Sequence, residues 1–116
     1  MVINLSLSIL VDGSIIREAT IIINNDGKKI IHCYPCNVVV DVTVILHDLA
    51  LELVKKNILK TLNSYIALIA SNKGIIAIPI SENRTLSIQI SAPFLYRRIT
   101  KELLSALNAL ANAVTN

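Results

Sequence analysis

Tryptophan is absent from this chain and other aromatic residues are scarce: three Tyr and one Phe, 3% of 116 residues. That weighs against binding single-stranded nucleic acid by base stacking, which needs exposed rings at spaced positions. Glycine is as rare. The three present, Gly13, Gly27 and Gly74, each fall in a turn signal, Asp12-Gly13, Asp26-Gly27 and Asn72-Lys73-Gly74. No glycine-rich phosphate loop is left over. Charged residues are 16% of the chain, with a net charge of +3, which permits contact with an acidic surface but is no dedicated basic tract. Long hydrophobic runs are missing too. YIALIA (65–70) and IIAIPI (75–80) fall far short of the roughly 18 to 20 residues that cross a bilayer, so no membrane contact is expected. The start, MVINLSLSILVDG, lacks a basic n-region and alternates apolar with polar residues, which reads as a strand and not as a secretory signal. An intracellular, cytoplasmic protein is expected, and the sequons at Asn4 and Asn83 are read as chance matches.

What the sequence has in excess is apolar character, 53%, too much for disorder and unusual for a lone soluble monomer. At this length one core can bury roughly two-thirds of the surface exposed on unfolding, so residues 1–116 are read as a single domain. Some of the apolar excess is expected to be covered by a partner.

Along the chain, Ile3, Leu5, Leu7, Ile9 and Val11 alternate with Asn4, Ser6 and Ser8, the period of a half-buried strand over Val2–Val11. Asp12-Gly13 is a hairpin turn, followed by a second strand at about Ile15–Ile23. The turn Asn24-Asn25-Asp26-Gly27 then leads into a third strand, Lys28 to Tyr34. In NVVVDVTVILHD, alternate Val38, Val40, Val42, Val44 and Leu46 predict a fourth strand. Asp48 is expected to cap a helix over Leu49–Leu62, with Leu51, Val54, Ile58 and Leu62 inward and Glu52, Lys56 and Lys60 on its wet face. Tyr65–Ala70 and Ile75–Ile80 read as a hairpin about Asn72-Lys73-Gly74. Pro79 cannot donate to a sheet ladder, which places its strand at an edge or a dimer seam. In Thr85–Ser91, Leu86, Ile88 and Ile90 point inward and Ser87 and Gln89 outward. A closing helix begins near Pro93 and carries Leu95, Ile99, Leu103, Ala106, Leu110 and Ala113 on one stripe. The order β-β-β-β-α-β-β-β-α predicts an α+β domain, an antiparallel sheet with two amphipathic helices packed on one face.

Candidate chemistry is confined to few places. HCYPC (32–36) holds both cysteines. A redox Cys-x-x-Cys needs its first sulfur at a helix N-terminus, yet the residues after Cys36 read as strand. Zinc would need Cys33 and Cys36 with His32 or His47, but His32 and Cys33 point to opposite sides of an extended chain and His47 lies a strand length away. The favoured reading is two reduced cysteines flanking a Tyr-Pro turn. His47-Asp48 is read as a cap and its flank, with no accompanying nucleophile. No catalytic residue, metal or cofactor is expected. The densest positive cluster, Arg97, Arg98 and Lys101 with Arg84 on the preceding turn, is a candidate site for phosphate or an acidic partner. Ile76, Ile78, Pro79 and Ile80, and the small polar face Ser105, Asn108 and Asn112, are candidate interface positions.

RTLSIQISAPFLYRRITKELLSALNALANAV (84–114) runs from a strand ending at Ala92 into a helix with an early arginine, Arg97 or Arg98, and a small-residue, Asn-containing seam. This stretch resembles the end of the small dimerising subunit of the KEOPS tRNA-modification complex. By order of elements the whole chain is similar to the small heterodimeric proteasome-assembly chaperones and to profilin-like or longin-like modules. These resemblances imply a non-enzymatic domain acting through protein contacts, either with itself as a homodimer or with another small subunit. Nucleic acid would then be reached through a larger complex. The expected function is therefore a small interaction or assembly subunit. The alternatives are an accessory nucleic-acid-binding protein of tRNA type using Arg84, Arg97, Arg98 and Lys101, and a thiol or zinc protein acting through Cys33 and Cys36.

Overall fold

Strand alternation and turn chemistry build most of the sheet in the computed structural model, which describes residues 7–8, 11, 16–36, 40–62, 64–70 and 72–91. β1 (Ile16–Asn25) and β2 (Lys28–Tyr34) form the expected hairpin. Its turn residues Asp26 and Gly27 have φ of 52° and 79°, the two positive values that a type I′ turn requires. β3 (Ile66–Ile69), β4 (Gly74–Pro79) and β5 (Arg84–Ile90) follow as two further antiparallel pairs. β5 closes back on β1, giving a five-stranded sheet in the order β2-β1-β5-β4-β3. β2 and β3 are thus its two edges.

Between those edges runs α1 (Val40–Lys55), where the sequence reading had a fourth strand up to the cap Asp48. The Val-rich run satisfies two periods at once. Alternate Val42, Val44 and Leu46 suggest a strand, but Thr43, Leu46, His47, Ala50 and Leu51 recur at helical spacing, and those are the buried residues. Packing of that stripe on the sheet outweighs the β-branched preference for strand. Asp41 in the first turn and Lys55 in the last both suit the helix dipole. α1 ends seven residues before the expected Leu62. Asn57 turns left-handed (φ 59°), Ile58 N–H donates to Leu53 O at 2.9 Å and Asn57 N–H to Val54 O at 3.0 Å. This is the paired bonding of a Schellman cap. Ile58, expected inward, is 64% exposed.

Two other expectations change. Leu7 and Ser8, inside the expected first strand, are helical; in sequence, Ile3, Leu7, Leu10 and Val11 also fit a helical stripe, and Leu7 is fully buried. From Ile16 on, the described order is β-β-α-β-β-β, a helix with an antiparallel sheet. The Asp12-Gly13 turn and the closing helix lie outside the described residues. β4 is not an edge strand but lies between β3 and β5. Pro79 is accommodated because it is the last residue of β4, two beyond Ala77, where β3 stops pairing. Its missing N–H breaks no ladder there, and its carbonyl accepts from Leu62 N–H at 2.8 Å.

The two faces of the sheet differ. One carries Ala19, Ile21, Ile76, Ile78, Leu86, Ile88 and Ile90, which form the core with Leu7, Ile16 and Ile80. The other lies beneath α1, chiefly over β4 and β5. Gly74 is buried at the start of β4, where a Cβ would come within 2.9 Å of Ile69 Cδ1 and 3.3 Å of Ile90 Cγ1. Space, not turn geometry, requires glycine at this position. Gly74→Val should lower the unfolding free energy by about 1 to 3 kcal/mol through overpacking, read from urea denaturation. Gly74→Ala should cost less, since the exposed Ile69 tip can shift.

Candidate functional site

The face beneath α1 is the chemically unusual part of the molecule. Register places Glu18 opposite Gln89, Thr20 opposite Ser87 and Ile22 opposite Thr85, so a row of polar side chains runs under the helix. Ser87 and Gln89 were expected to face solvent. Instead α1 covers them, and Thr20, Thr85 and Ser87 are 5%, 0% and 2% exposed.

At one end of the row His47, itself fully buried, joins three elements. Its Nε2 is 2.9 Å from Asn24 Oδ1 and its Nδ1 is 2.7 Å from Thr85 Oγ1. An amide oxygen only accepts, so Nε2–H donates to Asn24, and Nδ1 accepts from the Thr85 hydroxyl. Burial holds the imidazole below its ordinary pKa, Lys29 adds to the lowering and Asp48 opposes it. His47 is therefore a neutral clasp. Asn24 is fixed in turn, its N–H donating to Asn83 O at 2.8 Å and its carbonyl accepting from Asn83 Nδ2 at 3.0 Å. Ser81 Oγ bonds Asn83 Oδ1 at 2.9 Å. The clasp thus extends from α1 through β1 to the β4–β5 turn.

At the other end Glu18, Thr20, Thr43, Ser87 and Gln89, with Ile75 and Ile88, line a cavity of about 10 Å³, room for a single water. Glu18 Oε2 and Ser87 Oγ are buried with no hydrogen-bond partner among the described residues. Burial also pushes the Glu18 carboxyl above its ordinary pKa. Neither ring nitrogen of His47 is free to act as a base for Ser87.

HCYPC ends β2. Cys33 and Cys36 are joined in a disulfide, their Cα atoms 5.2 Å apart, where the sequence reading had reduced thiols. Cys33 remains in the ladder opposite Thr20, and the Tyr34–Pro35 peptide that follows it is cis. α1 begins four residues further on, so a helix follows where the sequence reading had a strand.

Of the basic candidates only Arg84 lies in the described part, half-buried at the start of β5 and opposite Ile23; Arg97, Arg98 and Lys101 lie outside it. Ile76, Ile78, Pro79 and Ile80 are all buried within this chain, the first three on the inner strand β4. Ser105, Asn108 and Asn112 lie outside the described residues.

The sequence reading missed the apolar surface that is exposed. At 3.6 residues per turn, Val42, Ile45, Leu49 and Leu53 share one flank of α1, and Asp41, Asp48 and Lys55 the other. Asp48 pairs with Lys29 of β2 at 3.3 Å, which turns the charged flank towards the β2 edge. Ile45 and Leu49 are 64% and 46% exposed, and Leu68 and Ile69 of the β3 edge are 50% and 47% exposed. Leu68, opposite Ile75 in register, lies on the same side of the sheet as α1. Among the described residues no helix is long and apolar enough to cross a membrane, and no cluster of three metal-ligating side chains occurs. No protein-family model, curated protein or solved structure matches the chain.

Proposed function

We propose that this chain is a non-enzymatic interaction subunit that assembles through the apolar flank of α1 and the edge strand β3 of the described sheet, with a second copy of itself as the partner. The observation that carries this reading is the exposure of Ile45 and Leu49 on α1 and of Leu68 on the β3 edge, all on one side of the sheet. A bare edge strand offers unpaired N–H and C=O groups, and two copies of β3 related by a twofold axis would pair antiparallel and continue the sheet. The same operation brings two α1 flanks together, so apolar and main-chain complementarity arise from one isologous contact. High apolar content without a membrane-length segment fits this use, as do the resemblances drawn from the sequence.

Sedimentation equilibrium tests the reading. Wild type should be dimeric at micromolar concentration. Ile45→Asp and Leu68→Asp should each raise the dissociation constant at least about tenfold, or about 1.4 kcal/mol, with circular dichroism unchanged. A monomeric wild type at 100-fold higher concentration, or a dimer indifferent to both substitutions, would refute the proposal.

A further inference from the structure

The Cys33–Cys36 disulfide is not needed to hold β2 in place, since the strand is already paired with β1 from Lys28 to Tyr34. A bridge spanning three positions also closes the kind of short loop that gains least from cross-linking. Two further facts bear on its use. Cys36 is exposed while Cys33 is half-buried, so Cys36 is the easier residue for an external thiolate to reach. Cys33 is the next-to-last residue of β2, and Cys36 lies beyond the strand, four residues before α1 begins, so the bridge ties the strand to its exit.

We propose that Cys33 and Cys36 form a reversible thiol–disulfide exchange site for low-molecular-weight thiols, with Cys36 the exchanging sulfur and Cys33 the resolving one. In the reductive direction a thiolate attacks Cys36 Sγ. The Cys33–Cys36 bond breaks, a mixed disulfide forms on Cys36, and Cys33 leaves as thiolate. A second thiolate attacks the small-molecule sulfur of that mixed disulfide, releasing the oxidised small disulfide and the Cys36 thiolate. Two electrons enter the protein, two small thiols are oxidised, and the protons they give up go to the two cysteines. The reverse sequence reoxidises the pair. Because β2 stays in its ladder, the change is confined to the exit from the strand.

The test uses the full chain and glutathione as probe. Titration against mixtures of reduced and oxidised glutathione should convert the pair reversibly, scored by alkylation of two thiols. Cys33→Ser should accumulate a mixed disulfide carrying one glutathione on Cys36, because the resolving sulfur is gone. Cys36→Ser should acquire its adduct on Cys33 about tenfold more slowly, since that sulfur is less accessible. Two results would overturn the proposal. One is a pair still oxidised in about 10 mM reduced glutathione, the behaviour of a purely structural bridge. The other is equal adduct formation by the two single variants at the rate of the urea-unfolded chain. Circular dichroism of both variants distinguishes loss of exchange from loss of fold.

Discussion

His47→Leu should lower the unfolding free energy by about 2 to 4 kcal/mol, and adding Thr85→Val should restore much of it. The single change leaves the fully buried Thr85 hydroxyl and the part-buried Asn24 amide without the ring that joined them. An unsatisfied buried polar group costs about 1 to 3 kcal/mol, whereas replacing both members of a bonded pair with apolar groups is close to neutral. Thr85→Val alone should therefore also destabilise, by orphaning Nδ1. The two single costs should exceed the cost of the double variant by about 1 to 3 kcal/mol of coupling energy. Urea unfolding of the four proteins measures this directly. Strict additivity would mean that the 2.7 Å contact contributes nothing to stability.

That clasp was hidden in the sequence for the same reason that α1 was. His47 and Asn24 are 23 positions apart and His47 and Thr85 are 38 apart, and only the route of α1 over the sheet brings them together. Period-two alternation was informative for β5, whose inward residues Leu86, Ile88 and Ile90 are all buried. The positive-φ chemistry of Asp26-Gly27 likewise identified its hairpin. In the 40–48 segment β-branched residues fit two periods equally, and the choice between them depends on what they pack against. The polar alternate positions of β5 then misled in a second way. A Ser and a Gln opposite a core face read as solvated, but the first half of α1, which the sequence suggests as a strand, supplies Thr43 over Ser87. Pro79 misled similarly, because the rule excluding proline from inner strands applies to positions with a ladder partner on its N–H side, and β3 ends before reaching it. The exposed flank of α1 was illegible until the helix itself was known. Ile45 and Leu49 belong to one surface only at helical spacing.

Acidification should separate the two titrating groups of the polar seam. The folded state holds His47 below 6.5, its ordinary value, so it refuses a proton that the unfolded chain accepts. Its contribution to stability is complete above about pH 6.5 and is lost as the pH falls from there towards the folded pKa, at up to about 1.4 kcal/mol per pH unit. The groups acting on the ring are Asp48 on its own helix and Lys29 on β2. Burial is the main cause of the shift and the two charges oppose each other, so salt, which screens their exposed pair, should alter this limb only slightly. Glu18 works in the opposite sense. Its carboxyl is raised above 4.5 by burial, so ionisation at neutral pH opposes folding, and that penalty is relieved as the pH falls through the folded pKa towards 4.5. The parent curve should therefore descend below pH 6.5 and flatten as Glu18 takes up its proton. The His47→Leu, Thr85→Val double variant should lose the descent and keep the relief. Glu18→Gln should be more stable than the parent at pH 7 and fall more steeply in acid. Urea midpoints between pH 7.5 and 4.5 resolve the three curves, and a double variant that descends from pH 6.5 as steeply as the parent would remove His47 as the cause.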